Sequence, residues 1–299
     1  LAFRAVHLCW FPETRPEQIE RAIRLAALFK FNYAIVEPWG TYKSRKNPWF
    51  SWPDAPLDRA AVKRLVAIGR DLGITLIPQL NCYGHASYSR GSSKKHSTLD
   101  FNPQYESLFE PGGWVWCIMN PETQRVLREI IAEMHEDFGN PPYFHIGCDE
   151  AFGAQSCPLC VKGSHAEQML NHLNGLSDFL KSRGARAMMW HDMLLKKGDA
   201  RWKDYKANGT AETAKAAETL PKDIVICDWF YRTAQKSYPS YTYFQSLGYD
   251  VLACPWHNAD GIVAEAKAIK AINGFGMLGT LWHHYYGPEL SLAYRVTAN

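Results

Sequence analysis

Eight short apolar runs, each closed by turn residues, constrain this chain more than any other feature: Ala5–Trp10, Tyr33–Pro38, Thr75–Asn81, Tyr143–Glu150, Ala185–Met193, Ile224–Tyr231, Val251–Trp256 and Met277–Tyr285. They are mostly continuous rather than alternating, the pattern of strands covered on both faces in a parallel sheet. Helical patterns separate them. Pro16–Lys30 places Ile19, Ile23 and Ala26 on one face, and Arg59–Leu72, Glu122–Phe138, Ala166–Lys181, Ala211–Thr219 and Ile262–Ile272 are also expected to be helices. No Gly/Ser/Pro-rich linker interrupts the alternation, so the expected fold is one (β/α)8 TIM barrel filling residues 1–299, with an eighth helix cut short at Asn299.

Composition removes several classes of function. Lys plus Arg total 33 against 30 Asp plus Glu, with no run of five like charges, so no nucleic-acid partner is expected. No stretch reaches the roughly 18 apolar residues of a membrane span. Residues 1–30 show no signal pattern, but the chain starts at Leu1 rather than Met, so its compartment is not legible. No cofactor is implied. The eight Cys are too few for a disulfide scaffold. Cys157-Pro158-Leu159-Cys160 has metal-knuckle spacing, yet no second Cys-x-x-Cys exists, and Cys148 or His165 would complete a site only if a loop folded back. The expectation is a surface turn without metal, with a disulfide as the other possibility.

In a barrel of this kind the residues at the strand C-termini carry the chemistry. Here they are Trp10, Glu37, Asn81 with His85, Asp149-Glu150, Trp190 with Asp192, Asp228-Trp229, Trp256-His257, and Trp282 with His283 and His284. Five of the eight ends bring one of the eleven Trp, which predicts an aromatic cup of the sort a sugar ring needs. Two long connections, Trp39–Leu57 and Cys82–Met119, rise on the same rim and are expected to be functional. Adjacent carboxylates on an extended strand point to opposite sides, so Asp149 and Glu150 are expected to address different atoms of one ligand. Aromatic burial and the neighbouring charge should raise the pKa of one of them, as a general acid requires.

His145-Ile146-Gly147-Cys148-Asp149-Glu150 resembles the His-x-Gly-Gly-Asp-Glu that ends the fourth strand in the β-N-acetylhexosaminidases of glycoside hydrolase family 20. Arg4-Ala5-Val6-His7-Leu8 is similar to the family's Arg-Gly-x-x-Leu. The segment Pro78-Gln79-Leu80-Asn81-Cys82-Tyr83-Gly84-His85 is similar to its Pro-Glu-x-Asp-x-Pro-Gly-His, and Met119-Asn120-Pro121 to its Leu-Asn-Pro. Trp190, Trp229, Trp256 and Trp282 match pocket tryptophans. The resemblance implies a substrate-assisted retaining mechanism acting on N-acetylhexosamine-terminated carbohydrate. The substrate's acetamido oxygen is the nucleophile, Glu150 the acid/base and Asp149 the group that orients the acetamido N–H. It further implies that Arg4 bonds ring hydroxyls and that His85 and His145 support the carboxylates; by their place at the strand ends Glu37, His85, His257 and His284 are also expected to bind substrate and Asn81 to support the site.

Several recognition positions depart from the family pattern. The second Gly is Cys148, the strand-three acids are Gln79 and Asn81, and Cys9 replaces an Asp. After strand seven, Trp256-His257-Asn258 replaces Trp-Tyr-x-Asp, which leaves Tyr231 or Tyr285 to grip the acetamido oxygen. Trp282-His283-His284 replaces the final Trp-x-Glu. Two readings of other classes stay open, a non-catalytic sugar-binding barrel and a metal-dependent barrel hydrolase. The second rests on His7, His85, His145, His191, His257, His283 and His284 near strand ends.

Overall fold

In the first strand, side chains alternate between the barrel interior (Phe3, Ala5, His7) and the surrounding helices (Val6, Leu8, Trp10). That alternation recurs around the computed structural model, which describes residues 1–54, 57–87, 98–202, 206–232 and 234–282. The strands are β1 (Phe3–Trp10), β2 (Tyr33–Pro38), β3 (Thr75–Pro78), β4 (Tyr143–His145), β5 (Arg186–Trp190), β6 (Val225–Phe230), β7 (Asp250–Pro255) and β8 (Gly276–Leu281). Every pairing is parallel, in the order β3-β2-β1-β8-β7-β6-β5-β4. A parallel bridge between Gln79 and His145 joins the two ends, with the Leu80 amide donating to the His145 carbonyl at 3.0 Å. The sheet thereby closes into the expected TIM barrel.

The helices α1 (Pro16–Leu28), α2 (Arg59–Asp71), α3 (Thr98–Phe101), α4 (Pro121–Asp137), α5 (His165–Lys181), α6 (Ala216–Thr219), α7 (Pro239–Ser246) and α8 (Ala259–Ala271) form the outer layer. Their starts carry the signals that favour initiation. Asp58 accepts the Ala61 amide, Asn120 that of Glu122 and Asn258 that of Gly261, and proline opens α1 and α4. Ala211–Thr219 is a helix only over its last four residues, after a 3-10 turn at Thr213–Lys215. The segment after β8, where an eighth helix was expected, lies outside the described residues. None of the described helices is long and apolar enough to cross a membrane.

Two apolar layers hold the fold. Helices pack on the outer face of the sheet through residues such as Ile19, Ile23, Leu65 and Ile130, all nearly inaccessible to water. Inside, Ile35, Ile77, Met188, Val225, Leu252 and Leu278 fill the barrel. Its N-terminal end is closed by a cluster of rings: Phe3 stacks on Tyr33 at 4.2 Å and meets Tyr143 and Phe275 at 5.5 and 5.3 Å. Access from solvent is left at the C-terminal rim.

Candidate active site

β4 is shorter than expected, and this shapes the site. The strand ends at His145, the last backbone bonds to its neighbours are made by Ile146 and Gly147, and the chain coils through Gly147 (φ 66°), Cys148 (φ 73°) and Glu150 (φ 46°). The left-handed region strains the two non-glycine residues by about 1–3 kcal/mol each. Gly147 presses on Asn81, where a Cβ would collide with the amide oxygen, and Gly84 is equally tight against the Asp149 carbonyl. The expectation of two carboxylates on opposite sides of an extended strand is therefore corrected. The coil turns both toward one imidazole: His85 Nε2 lies 3.2 Å from Asp149 Oδ2 and 3.4 Å from Glu150 Oε2.

That imidazole decides the electrostatics. Burial alone would lower the His85 pKa, but the two carboxylates outweigh it and hold it near about 10, so the ring is an imidazolium. Burial pushes Glu150 upward, while the bond to His85, its charge and that of Lys206 bring it below the usual carboxylate range. The expected rise in one member of the pair is thus absent from Glu150 in the open site. The raised carboxyl is Asp192, lifted to about 7 by burial and by the charge of Asp149. Its Oδ2 accepts the Glu150 amide at 3.0 Å and the Asn208 side-chain amide at 2.7 Å, which braces the coil from behind.

Trp39, His85, Trp114, Asp149, Glu150, Lys206, Trp229, Tyr231, Trp256 and Trp282 line a cup of about 320 Å³ above the barrel. The Trp114 indole donates to the Glu150 carbonyl at 2.6 Å, and that of Trp282 to the Tyr231 hydroxyl at 2.7 Å. Asp149 Oδ1 and Trp229 Nε1 are two of the buried polar atoms that find no hydrogen-bond partner among the described residues.

Of the residues singled out in the sequence, Asp149, Glu150, His85, Trp229, Trp256 and Trp282 meet in the cup. Trp190 lies beneath it, almost fully buried and packed on His145 at 4.4 Å. His145 is held neutral by burial, its pKa near about 3, and its Nδ1 accepts the Gly147 amide at 3.1 Å, so it supports the coil. Asn81 also lies under the floor, donating to Glu37 at 2.7 Å.

Glu37 is corrected from a sugar-reading residue to a buried one. Its two oxygens are taken by Asn81 and by His7 at 2.8 Å, and it does not line the cup. Arg4 is corrected as well, because it sits near the start of β1 on the outward face, bonded to the carbonyls of Leu1 and Lys30 at the opposite end of the barrel. His257 is exposed against Trp256 and outside the lining. His284, with His283 and Tyr285, lies outside the described residues.

Trp39, Trp114 and Lys206 were not singled out by the sequence. The only signal for the first two was their position in the two long connections, and Lys206 gave none.

A family model described as "Glycosyl hydrolase family 20, catalytic domain" matches residues 40–296, and the chain belongs to that family. The fold is shared with solved structures of low identity. A β-N-acetylhexosaminidase from Bacteroides fragilis is 17% identical with a TM-score of 0.66, the match covering 94% of this chain and 61% of that one. A family 20 exo-β-N-acetylglucosaminidase from Vibrio harveyi, solved with N-acetylglucosamine, is 16% identical with a TM-score of 0.70, covering 97% and 53%. A chitobiase from Flavobacterium johnsoniae is 18% identical with a TM-score of 0.69, covering 98% and 48%. This chain spans about half to three-fifths of the length of these proteins.

Proposed function

We propose that this chain is a catalytic unit, spanning residues 1–299, that removes a terminal 2-acetamido-2-deoxy-β-hexose (GlcNAc or GalNAc) with retention of configuration. The observation that carries the reading is the acid pair itself: Asp149 and Glu150 flank His85 in an indole-walled cup, and Asp149 Oδ1 is unpaired. Family membership and the sugar bound by the Vibrio harveyi relative support the substrate class. A cup of about 320 Å³ is near the small end of ligand pockets and suits one ring, hence exo action.

The chemistry follows from the charges. Asp149 Oδ1 accepts the acetamido N–H and favours the positive charge that develops on it, while the acetamido oxygen attacks C1 and forms an oxazolinium intermediate. A nucleophile tethered to the substrate needs only to be held in line. In the open cup the proton of the triad sits on His85. A bound sugar excludes water, which disfavours both charged forms, and the proton passes from Nε2 to Glu150. Glu150 then delivers it to the departing glycosidic oxygen and later accepts one from the attacking water. Tyr231, which lines the cup and whose hydroxyl accepts from Trp282, is assigned the grip on the acetamido oxygen.

The test is hydrolysis of matched aryl β-glycosides by the wild type and by Glu150→Gln. The acetamido-glucoside or acetamido-galactoside should be cleaved and the 2-hydroxy glucoside spared. The variant should lose about 10²–10⁴-fold in rate. Equal cleavage of the 2-hydroxy sugar would sink the mechanism, and binding without turnover by the wild type would leave a sugar-binding barrel.

A further inference from the structure

Three thiols meet on the flank of the barrel, outside the cup. Cys117 comes from the end of the connection after β3, and Cys157 and Cys160 from the one after β4. The Cys117 sulfur lies 3.3 Å from that of Cys157 and 3.7 Å from that of Cys160, and all three fall within 4.8 Å of one another. A disulfide would need about 2.05 Å. Thiolates at the corners of a tetrahedron around zinc, with bonds of about 2.3 Å, stand about 3.8 Å apart. The spacing is that of ligands converging on a single ion.

The surroundings suit anionic sulfur. The Cys160 amide points at Cys157 Sγ at 3.4 Å, as in a Cys-x-x-Cys knuckle. Backbone amides of Asn120 and Met119 bond the Cys117 and Cys160 sulfurs. The turn Cys157–Cys160 lies at the surface as expected, with Leu159 exposed, but it turns its thiols inward, and all three sulfur-bearing residues are at least nine-tenths buried. Beside them stands the buried carboxylate of Glu110, held by the amides of Gln155, Ser156 and Cys157 and in contact with the Cys160 thiol.

We propose that Cys117, Cys157 and Cys160 bind a structural zinc ion as thiolates, with Glu110 supplying the fourth donor or holding the water that does. On binding, the three thiols release their protons to solvent. The ion staples the two connections that build the cup. Trp114 and Trp116, just before Cys117, donate to the carbonyls of Glu150 and Asn81, so the staple also holds an indole wall against the acid pair.

Plasma mass spectrometry of chain purified without chelator should find about one zinc per chain. Exchange for Co(II) should give near-ultraviolet thiolate-to-cobalt bands, and chelation should make three thiols reactive toward a thiol reagent. Cys157→Ser and Cys160→Ser should lose the metal, while Cys254→Ser, altered inside the barrel, should keep it. Should the serine variants fail to fold, cobalt titration of the chelated wild type decides the matter. Folded wild type that holds no zinc and takes up no cobalt, or a Cys117–Cys157 disulfide in unreduced peptides, would overturn the proposal.

Discussion

His85 sits at φ 57° with its imidazole edge-on to Trp39 and 4.2 Å from the ring of Trp114, between the two acids. Its folded pKa, near about 10, lies above the 6.5 of an unfolded histidine, so its stabilisation is complete below pH 6.5 and disappears as pH rises toward 10. The Tm advantage of wild type over His85→Gln should therefore narrow steadily across that interval. A gap that stays constant from pH 6.5 to 10 would show that no proton is held there. His85 was legible because it follows a strand end, as were Asp149, Glu150, Trp229, Trp256 and Trp282. Arg4 was misplaced because motif order overrode strand parity: it shares a face with Val6 and Leu8, which turn toward the helices. Glu37 is at a strand end but has two buried donors, His7 from β1 and Asn81 from just after β3, a pairing that only the packing of β2 between those two strands reveals.

Among the elements, β4 carries the functional consequence, because it stops after three residues and hands the chain to a left-handed coil. The coil has room only because residue 84 lacks a side chain. Gly84→Ala should therefore push the Asp149 carbonyl out of place, destabilise by about 1–3 kcal/mol and cost more in activity than in Tm. Denaturant melts beside kinetics would check this, and unchanged kinetics would mean that the coil yields freely. All eight strands were legible from apolar runs, and the ends of β1 and β2 fall at Trp10 and Pro38 as expected, but the C-terminal ends of the other six were set too late. Residues such as Asp149 and Trp256 continue the apolar pattern while the backbone has already left the sheet. The helix α7 was not anticipated, since Pro-Ser-Tyr-Thr-Tyr-Phe-Gln-Ser offers no apolar stripe at a period of 3.6. The thiol cluster escaped notice because its third member lies 40 residues before Cys157 and reaches it only through the fold.

Across the whole molecule, buried ionisable groups set the pH of greatest stability. Burial lowers His145, His172 and His191 to about 3, 4 and 3, so these rings must stay neutral in the fold while the unfolded chain protonates them below pH 6.5. Stability from these groups is lost as pH falls. Burial raises Asp192, Asp228 and Glu265 to about 7, 8 and 9, and the fold keeps protons that the unfolded chain gives up above about pH 4. Stability from these acids is lost as pH rises through those values. The two slopes oppose each other, and Tm should peak in the mildly acidic range and fall on both sides, which calorimetry across pH 4 to 9 would test. A peak above pH 8 would contradict it. The ring cluster at the N-terminal end, Phe3 on Tyr33 with Tyr143 and Phe275, has a kinetic meaning of its own. A vessel stoppered at its base fills and empties through one mouth, so under the proposed function a released sugar would occupy the place the next substrate must take, and inhibition by the product is the expected outcome.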